Sequence, residues 1–147
     1  MIDLLGRQAR IDPNLSMVNF LTMEPVETEY HGLQPSFQRR RAGFELRGKM
    51  AAAMPLNIDR PVRMVYVLAE GTGLLDVYPI AFVTVDDGEI FPLYVDREEP
   101  NLYPLDLRIE PGEHTIRFEY INDFAQVING ELADRNLRLN RLLLVHE

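Results

Sequence analysis

From Gly43 onward the chain alternates. Phe44 and Leu46 are set between Glu45 and Arg47, and Thr115-Ile116-Arg117-Phe118-Glu119-Tyr120-Ile121 repeats apolar and polar side chains with a period of two. That period marks a strand with one buried and one wet face. Residues 62–68, Val-Arg-Met-Val-Tyr-Val-Leu, are β-branched and aromatic, and they end at Glu70-Gly71-Thr72-Gly73. Similar runs cover 77–85, closed by Asp86-Asp87-Gly88, then 90–95, 105–109 before Pro111-Gly112, and 137–145. Seven or eight short strands at this spacing, separated by Asp-Gly and Pro-Gly turns, predict an all-β chain: an antiparallel β-sandwich, or jelly roll. Met50-Ala51-Ala52-Ala53-Met54 is the best helical candidate, but Pro55 stops it and it is too short to matter.

The beginning of the chain lacks this order. Arg7-Gln8-Ala9-Arg10-Ile11-Asp12-Pro13-Asn14 and Met23-Glu24-Pro25-Val26-Glu27-Thr28-Glu29 hold no period of two or 3.6. The division expected is an irregular, extended N-terminal arm over 1–42 and a sandwich domain over 43–147. The apolar patch Met17-Val18-Asn19-Phe20-Leu21 docks the arm onto its own domain or reaches a partner protein. Gln38-Arg39-Arg40-Arg41 is too short for a lipid- or phosphate-binding run and reads as a solvated turn.

Composition narrows the function. The 147 residues suit one domain, and 46% hydrophobic with 26% charged residues is an ordinary globular profile. A net charge of −8 argues against a general nucleic-acid binder, which needs a basic footprint, and mildly favours binding cations. With no cysteine, disulfides, zinc thiolates and cysteine nucleophiles are excluded. No apolar run approaches the roughly 18 residues of a transmembrane segment. Met1-Ile2-Asp3-Leu4-Leu5-Gly6 has neither the basic start nor the apolar stretch of a secretory signal, so the compartment stays unassigned from these residues.

Catalytic groups are poorly arranged. Ser16 and Ser36 both fall in the irregular arm, outside any Gly-x-Ser-x-Gly elbow, and His31, His114 and His146 carry no recognisable motif. Gly71-Thr72-Gly73 follows a strand but opens no helix, so it is not a dinucleotide loop. Carboxylates are abundant, but their number alone does not make a glycosidase pair. The expectation is a protein without catalysis of its own.

Residues 121–137 are more informative. A strand runs into Asn122-Asp123, a loop follows, and Asp134-Arg135-Asn136 enters the last strand. The frame returns two carboxylates, those of Asp123 and Asp134, to one end of the sandwich. Calcium takes about six to eight oxygens from carboxylates, carbonyls and amides. Asp123, Asp134 and Glu131 offer charge; Asn122, Asn129 and Asn136 offer neutral oxygens. The same residues also suit a plain hairpin loop, with Asp and Asn as turn formers and Arg135 paired to a neighbouring acid. Composition by itself leans to the plain loop.

The segment from Gly112 to Asp123, followed by Asp134-Arg135-Asn136-Leu137-Arg138-Leu139-Asn140, resembles the end of a xylan-binding-type calcium-dependent carbohydrate-binding module. Such a module has a strand ending in Asn-Asp, a loop, and Asp-Arg-Asn-Leu leading into a final strand. Val83-Thr84-Val85-Asp86-Asp87-Gly88 matches its upstream strand and turn, so the resemblance covers roughly 60–145. It implies a jelly-roll sandwich, a calcium ion held in terminal loops, a polysaccharide ligand and an extracytoplasmic setting. By position, Asp123 and Asp134 become metal ligands, with Glu131 added from proximity. Asn122, Asn129 and Asn136 become ligand-binding or bracing amides, Phe124 a ring for the sugar, and Arg135 a support of the sandwich. The chain departs from the pattern in its apolar loop, Phe124, Val127, Ile128 and Leu132, and in having no tryptophan. Those departures suit the alternative, an accessory or scaffolding subunit that binds a larger protein assembly through the loop and the arm.

Overall fold

The computed structural model describes residues 12–26, 36–40 and 43–147, the middle stretch by its backbone alone. The readings made on Met1–Gly6, Arg7–Ile11, Glu27–Glu29, His31 and Arg41 lie outside the described residues. The elements in order are β1 (Leu15–Val18), β2 (Glu24–Val26), β3 (Ser36–Arg40), β4 (Gly43–Arg47), β5 (Met50–Ile58), β6 (Val62–Gly71), β7 (Ile80–Val85), β8 (Phe91–Tyr94), β9 (Asn101–Leu105), β10 (Gly112–Tyr120), β11 (Ala125–Ile128), β12 (Glu131–Asp134) and β13 (Leu137–His146). One sheet runs β3-β4-β13-β6-β9, with β1 also on β13; the other runs β2-β5-β10-β7-β8; β11 and β12 pair only with each other. The pairings are antiparallel. The expected all-β sandwich is what the chain forms.

The alternation decides which side chains fill the core between the sheets. Ile116, Phe118 and Tyr120 point inward from β10 and are fully buried. On β13 Leu137 and Leu139 face the core, an irregularity in the pairing with β6 falls at Asn140, and Leu142 and Leu144 then resume the inward face. A one-residue bulge is what lets two runs of opposite parity share a face.

Met50–Ile58 is a strand, whatever its alanines prefer locally. Ala52 lies opposite Phe118 in the β5–β10 register, and its small side chain leaves room for the ring. Packing and pairing with two neighbours outweigh the few tenths of a kcal/mol per residue of helix propensity. Pro55 is tolerated because β2 pairs only with Ala51–Ala53, so the missing N–H lies where β5 has no partner on that side.

The stretch expected to be an irregular arm is, over its described residues, part of the sandwich. β1 pairs with β13 and β2 with β5, so residues 15–26 cross from one sheet to the other. Phe20 and Met23, in the crossing, are fully buried, and the Phe20 ring meets Phe118 edge-on at 5.8 Å. Of the two docking options for the Met17–Leu21 patch, its own domain holds Phe20; Leu21 is exposed. Strands of four and three residues are too short to display a period. Gln38–Arg40, expected in a turn, belongs to β3 and pairs with Gly43–Glu45.

Candidate functional site at the hairpin end of the sandwich

The loop between Asn122 and Arg135 is a β-hairpin. Ala125 pairs with Asp134 and Ile128 with Glu131, around Asn129 (φ 53°) and Gly130 (φ 79°). Two successive left-handed residues make the tight turn whose twist suits a two-residue hairpin, and Asn-Gly is the sequence that adopts it most readily.

Arg135 anchors this hairpin. It is buried, and its guanidinium donates to three carbonyls: Nε to Val77 (2.9 Å), Nη1 to Asn122 (2.7 Å) and Nη2 to Leu74 (2.8 Å). Its backbone N–H donates to the Phe124 carbonyl at 2.9 Å, and its own carbonyl accepts the Tyr120 hydroxyl. Phe124 lies against the guanidinium, 5.8 Å from ring centre to Cζ. The sequence suggested pairing to an acid; the side chain supports the sandwich by capping backbone carbonyls instead.

Asp123 and Asp134 flank the base of the hairpin. Burial, then the charge of Asp134, pushes the Asp123 carboxyl above the ordinary carboxylate range, with Arg135 and Lys49 pulling the other way. Burial, with a further push from Asp123, likewise raises the Tyr120 hydroxyl, which stays neutral. Asp123 Oδ1 is buried and has no hydrogen-bond partner among the described residues. A carboxylate in that setting is relieved by a proton or by a cation.

The other expected site residues go elsewhere. Glu131 sits an odd number of positions from Asp134 on β12, so it projects to the opposite face, roughly 10 Å along the strand. Asn129 is at the tip of the turn. Among the described residues no three His, Cys, Asp or Glu side chains form a metal-holding group. Asn122 is occupied as a brace: its Oδ1 accepts the Ile80 N–H at 2.7 Å and its Nδ2 donates to the Tyr78 carbonyl at 2.9 Å. Phe124 is exposed, its ring against the Arg135 guanidinium. Asn136 turns toward a neighbouring cleft, its N–H donating to Thr72 Oγ1 (3.2 Å) and its carbonyl accepting the Thr72 N–H (3.0 Å).

That cleft, about 280 Å³, carries no motif in the sequence; Glu45, Glu70, Thr72, Glu98, Asn136 and Arg138 line it. Arg138 bridges Glu70 (2.7 Å) and Glu45 (3.2 Å) on the strands to either side. Burial opposes the charge of Glu45, but hydrogen bonds and charges from Arg47 and Arg138 outweigh it and hold its carboxyl below the ordinary range. The outward positions of the alternating runs, Glu45, Glu70 and Arg138, carried that ladder in their sequence. Gly71 and Gly73 serve packing: a Cβ on Gly71 would meet Pro79 at 2.8 Å, and one on Gly73 would meet the Tyr78 ring at 2.7 Å. Ser16 and His146 do meet, at 2.6 Å, but within the β1–β13 pairing and with His146 buried. No helix among the described residues is long and apolar enough to cross a membrane.

No family model and no curated protein matches the sequence. Solved structures do match the fold. The CBM36-1 domain of a multidomain xylanase from the hindgut metagenome of Trinervitermes trinervoides superposes with a TM-score of 0.61 at 14% identity, over 91% of this chain and 98% of that one. A carbohydrate-binding module CBM36 in complex with calcium and xylotriose matches with a TM-score of 0.55 at 9% identity, over 86% of this chain and 97% of that one. The family 35 carbohydrate-binding module from Clostridium thermocellum matches with a TM-score of 0.56 at 14% identity, over 88% and 98%. Nearly the whole of each module is matched by nearly the whole of this chain, which therefore has the antiparallel β-sandwich fold of the CBM36 and family 35 modules.

Proposed function

We propose that this protein is a non-catalytic carbohydrate-binding module that holds a polysaccharide at the hairpin end of its sandwich, in an extracytoplasmic setting. The observation that carries the reading is Asp123. Its buried, unpartnered Oδ1 beside a second carboxylate is a poor way to stabilise a fold and a good way to bind a cation whose remaining coordination is open. The residues fit calcium in part. Asp123 and Asp134 would hold the ion, and backbone carbonyls and sugar hydroxyls would fill the remaining positions, since Glu131 lies on the opposite face of β12 and the Asn122 amide is taken by Ile80 and Tyr78. Bound there, calcium would supply a positive centre for vicinal hydroxyls; Phe124 would lend an apolar edge.

Calorimetry with xylo-oligosaccharides and other plant-wall glycans, with calcium and then with chelator, tests this. Binding should vanish with chelator and with Asp134→Asn. Asp123→Asn should also lose calcium-dependent binding, yet melt no lower than the parent without calcium, because it removes a charge that burial disfavours. Glycan binding indifferent to both chelator and Asp123→Asn would rule out the metal; no binding to any glycan would rule out the module.

A second reading, an accessory subunit docking on a larger assembly, is favoured by the hairpin. Val127 and Leu132, directly opposed across β11 and β12, are 66% and 71% exposed. Replacing both by serine should change stability by less than about 0.5 kcal/mol per site, since neither is buried. On that reading the variant loses a partner that the parent retains through size exclusion of a native extract; a parent running as a free monomer would dispose of it.

A further inference from the structure

Asp86 opens the β7–β8 turn in the left-handed region (φ 53°), followed by Asp87 (φ 56°). Its Oδ1 accepts the Thr115 N–H at 2.8 Å, and its Oδ2 lies 2.5 Å from His114 Nδ1. The other ring nitrogen, Nε2, lies 2.7 Å from the Glu110 carbonyl oxygen. A carboxylate and a carbonyl are both acceptors, so only the doubly protonated imidazolium satisfies the two contacts together. On losing a proton the ring keeps its hydrogen toward the carboxylate, and a nitrogen lone pair then faces the Glu110 oxygen.

The surroundings favour the cation. The β7–β8 turn presents Asp86, Asp87 and Glu89; the β9–β10 connection presents Asp106, Arg108 and Glu110; β10 presents Glu113 and Arg117. From β5 come only uncharged residues, Pro55, Leu56 and Asn57, and from the β1–β2 crossing only Thr22. Among the described residues that line these clefts, carboxylates thus outnumber guanidiniums, and Asp86 and Glu110 are the carboxylates that act on the ring. His114 and Asp86 also form the common wall of two clefts of about 540 Å³ each, one beneath Phe91 and Arg108, the other over Pro55 and Asn57.

We propose that Asp86, His114 and the Glu110 carbonyl form a pH-operated latch: closed, it ties the Glu110-Pro111-Gly112 corner to the β7–β8 turn and fixes the wall between the two clefts; open, it frees the corner. The hydrogen bond to Asp86 is the main reason His114 titrates above its ordinary range, and the reciprocal bond to His114 is the main reason Asp86 titrates below its own. The signs follow from linkage. The His114 contribution is complete below the unfolded histidine value of about 6.5 and is lost as pH rises through the higher folded value. The Asp86 contribution is complete above the unfolded aspartate value of about 3.9 and is lost as pH falls through the lower folded value. The latch is therefore closed in mild acid and opens toward alkaline pH.

Asp86→Asn separates this from a merely structural contact. Its carboxamide still accepts from Thr115 and can donate to a neutral Nδ1, leaving Nε2–H for Glu110, so a latch closed by the neutral ring replaces one closed by the cation. In the parent, NMR should find His114 titrating above about 6.5. Amide exchange at Glu110, Gly112 and Glu113, corrected for the intrinsic pH dependence, should quicken several-fold across that titration. Asp86→Asn should bring His114 to the ordinary value or below and remove the step. A parent His114 titrating at or below the ordinary value, protection that ignores the titration, or a step that survives in Asp86→Asn would each overturn the proposal.

Discussion

Arg135→Met should lower the free energy of unfolding by about 3–5 kcal/mol, read from urea or guanidinium melts against the parent. Three carbonyls, from Leu74, Val77 and Asn122, lose their donor at once in a region where the arginine is buried. Each charge-assisted bond contributes about 1.5–3 kcal/mol, and the carbonyls left behind carry their own desolvation cost. A small domain holds only about 5–15 kcal/mol in total, so the variant should be marginal at ordinary temperature. Because the guanidinium joins the 74–77 segment to the base of the hairpin, glycan binding should weaken with it if the hairpin end is the ligand site. Arg135→Lys should rescue little, since one ammonium cannot reproduce a planar fork aimed at three acceptors. A loss below about 1 kcal/mol in Arg135→Met would show that the capping bonds are readily replaced by water.

Phe20→Ala is expected to cost about 3–5 kcal/mol, the range for emptying a fully buried phenylalanine site. The cavity would open against Phe118, the ring it meets edge-on, and part of the loss is that aromatic contact. The measurement decides more than a packing energy. If residues 12–26 were an appendage, the change would be worth a few tenths of a kcal/mol and the melting curve would barely move. A loss of the expected size makes the β1–β2 crossing part of the cooperative unit.

Much of the sandwich was readable because its long strands have one wet face. β10, with Ile116, Phe118 and Tyr120 inward and Arg117 and Glu119 outward, advertises itself. β5 hid behind alanines, since nothing local distinguishes a short Ala-rich strand from a helix turn; what decides it is the partner on either side. β1 and β2 hid behind brevity, and their burial comes from contacts far away in the chain. The Asn-Asp and Asp-Arg-Asn segments adjoin the two ends of the chain that pair at the base of the hairpin. The paired register of the intervening hairpin, which carries Glu131 and Asn129 away from Asp123, depended on reading Asn129-Gly130 as a tight turn. Asn122 looks like a ligand in a list of polar residues, and Arg135 like the partner of an acid. Only geometry shows that the Asn122 amide and the Arg135 guanidinium are consumed by backbone groups.

The central place of β13 has a kinetic consequence. It lies between β6 on one side and β4 and β1 on the other, so one sheet cannot be assembled until Leu137–His146 are available. Ser16 meets His146 across 130 residues of chain, and closing so long a loop precedes most of the reward for closing it. Such chains fold on the millisecond-to-second scale rather than in microseconds. During synthesis the edges of β4 and β6 that face β13 would stay unpaired until Leu137–His146 have emerged, the interval in which a β-protein is most exposed to misassociation.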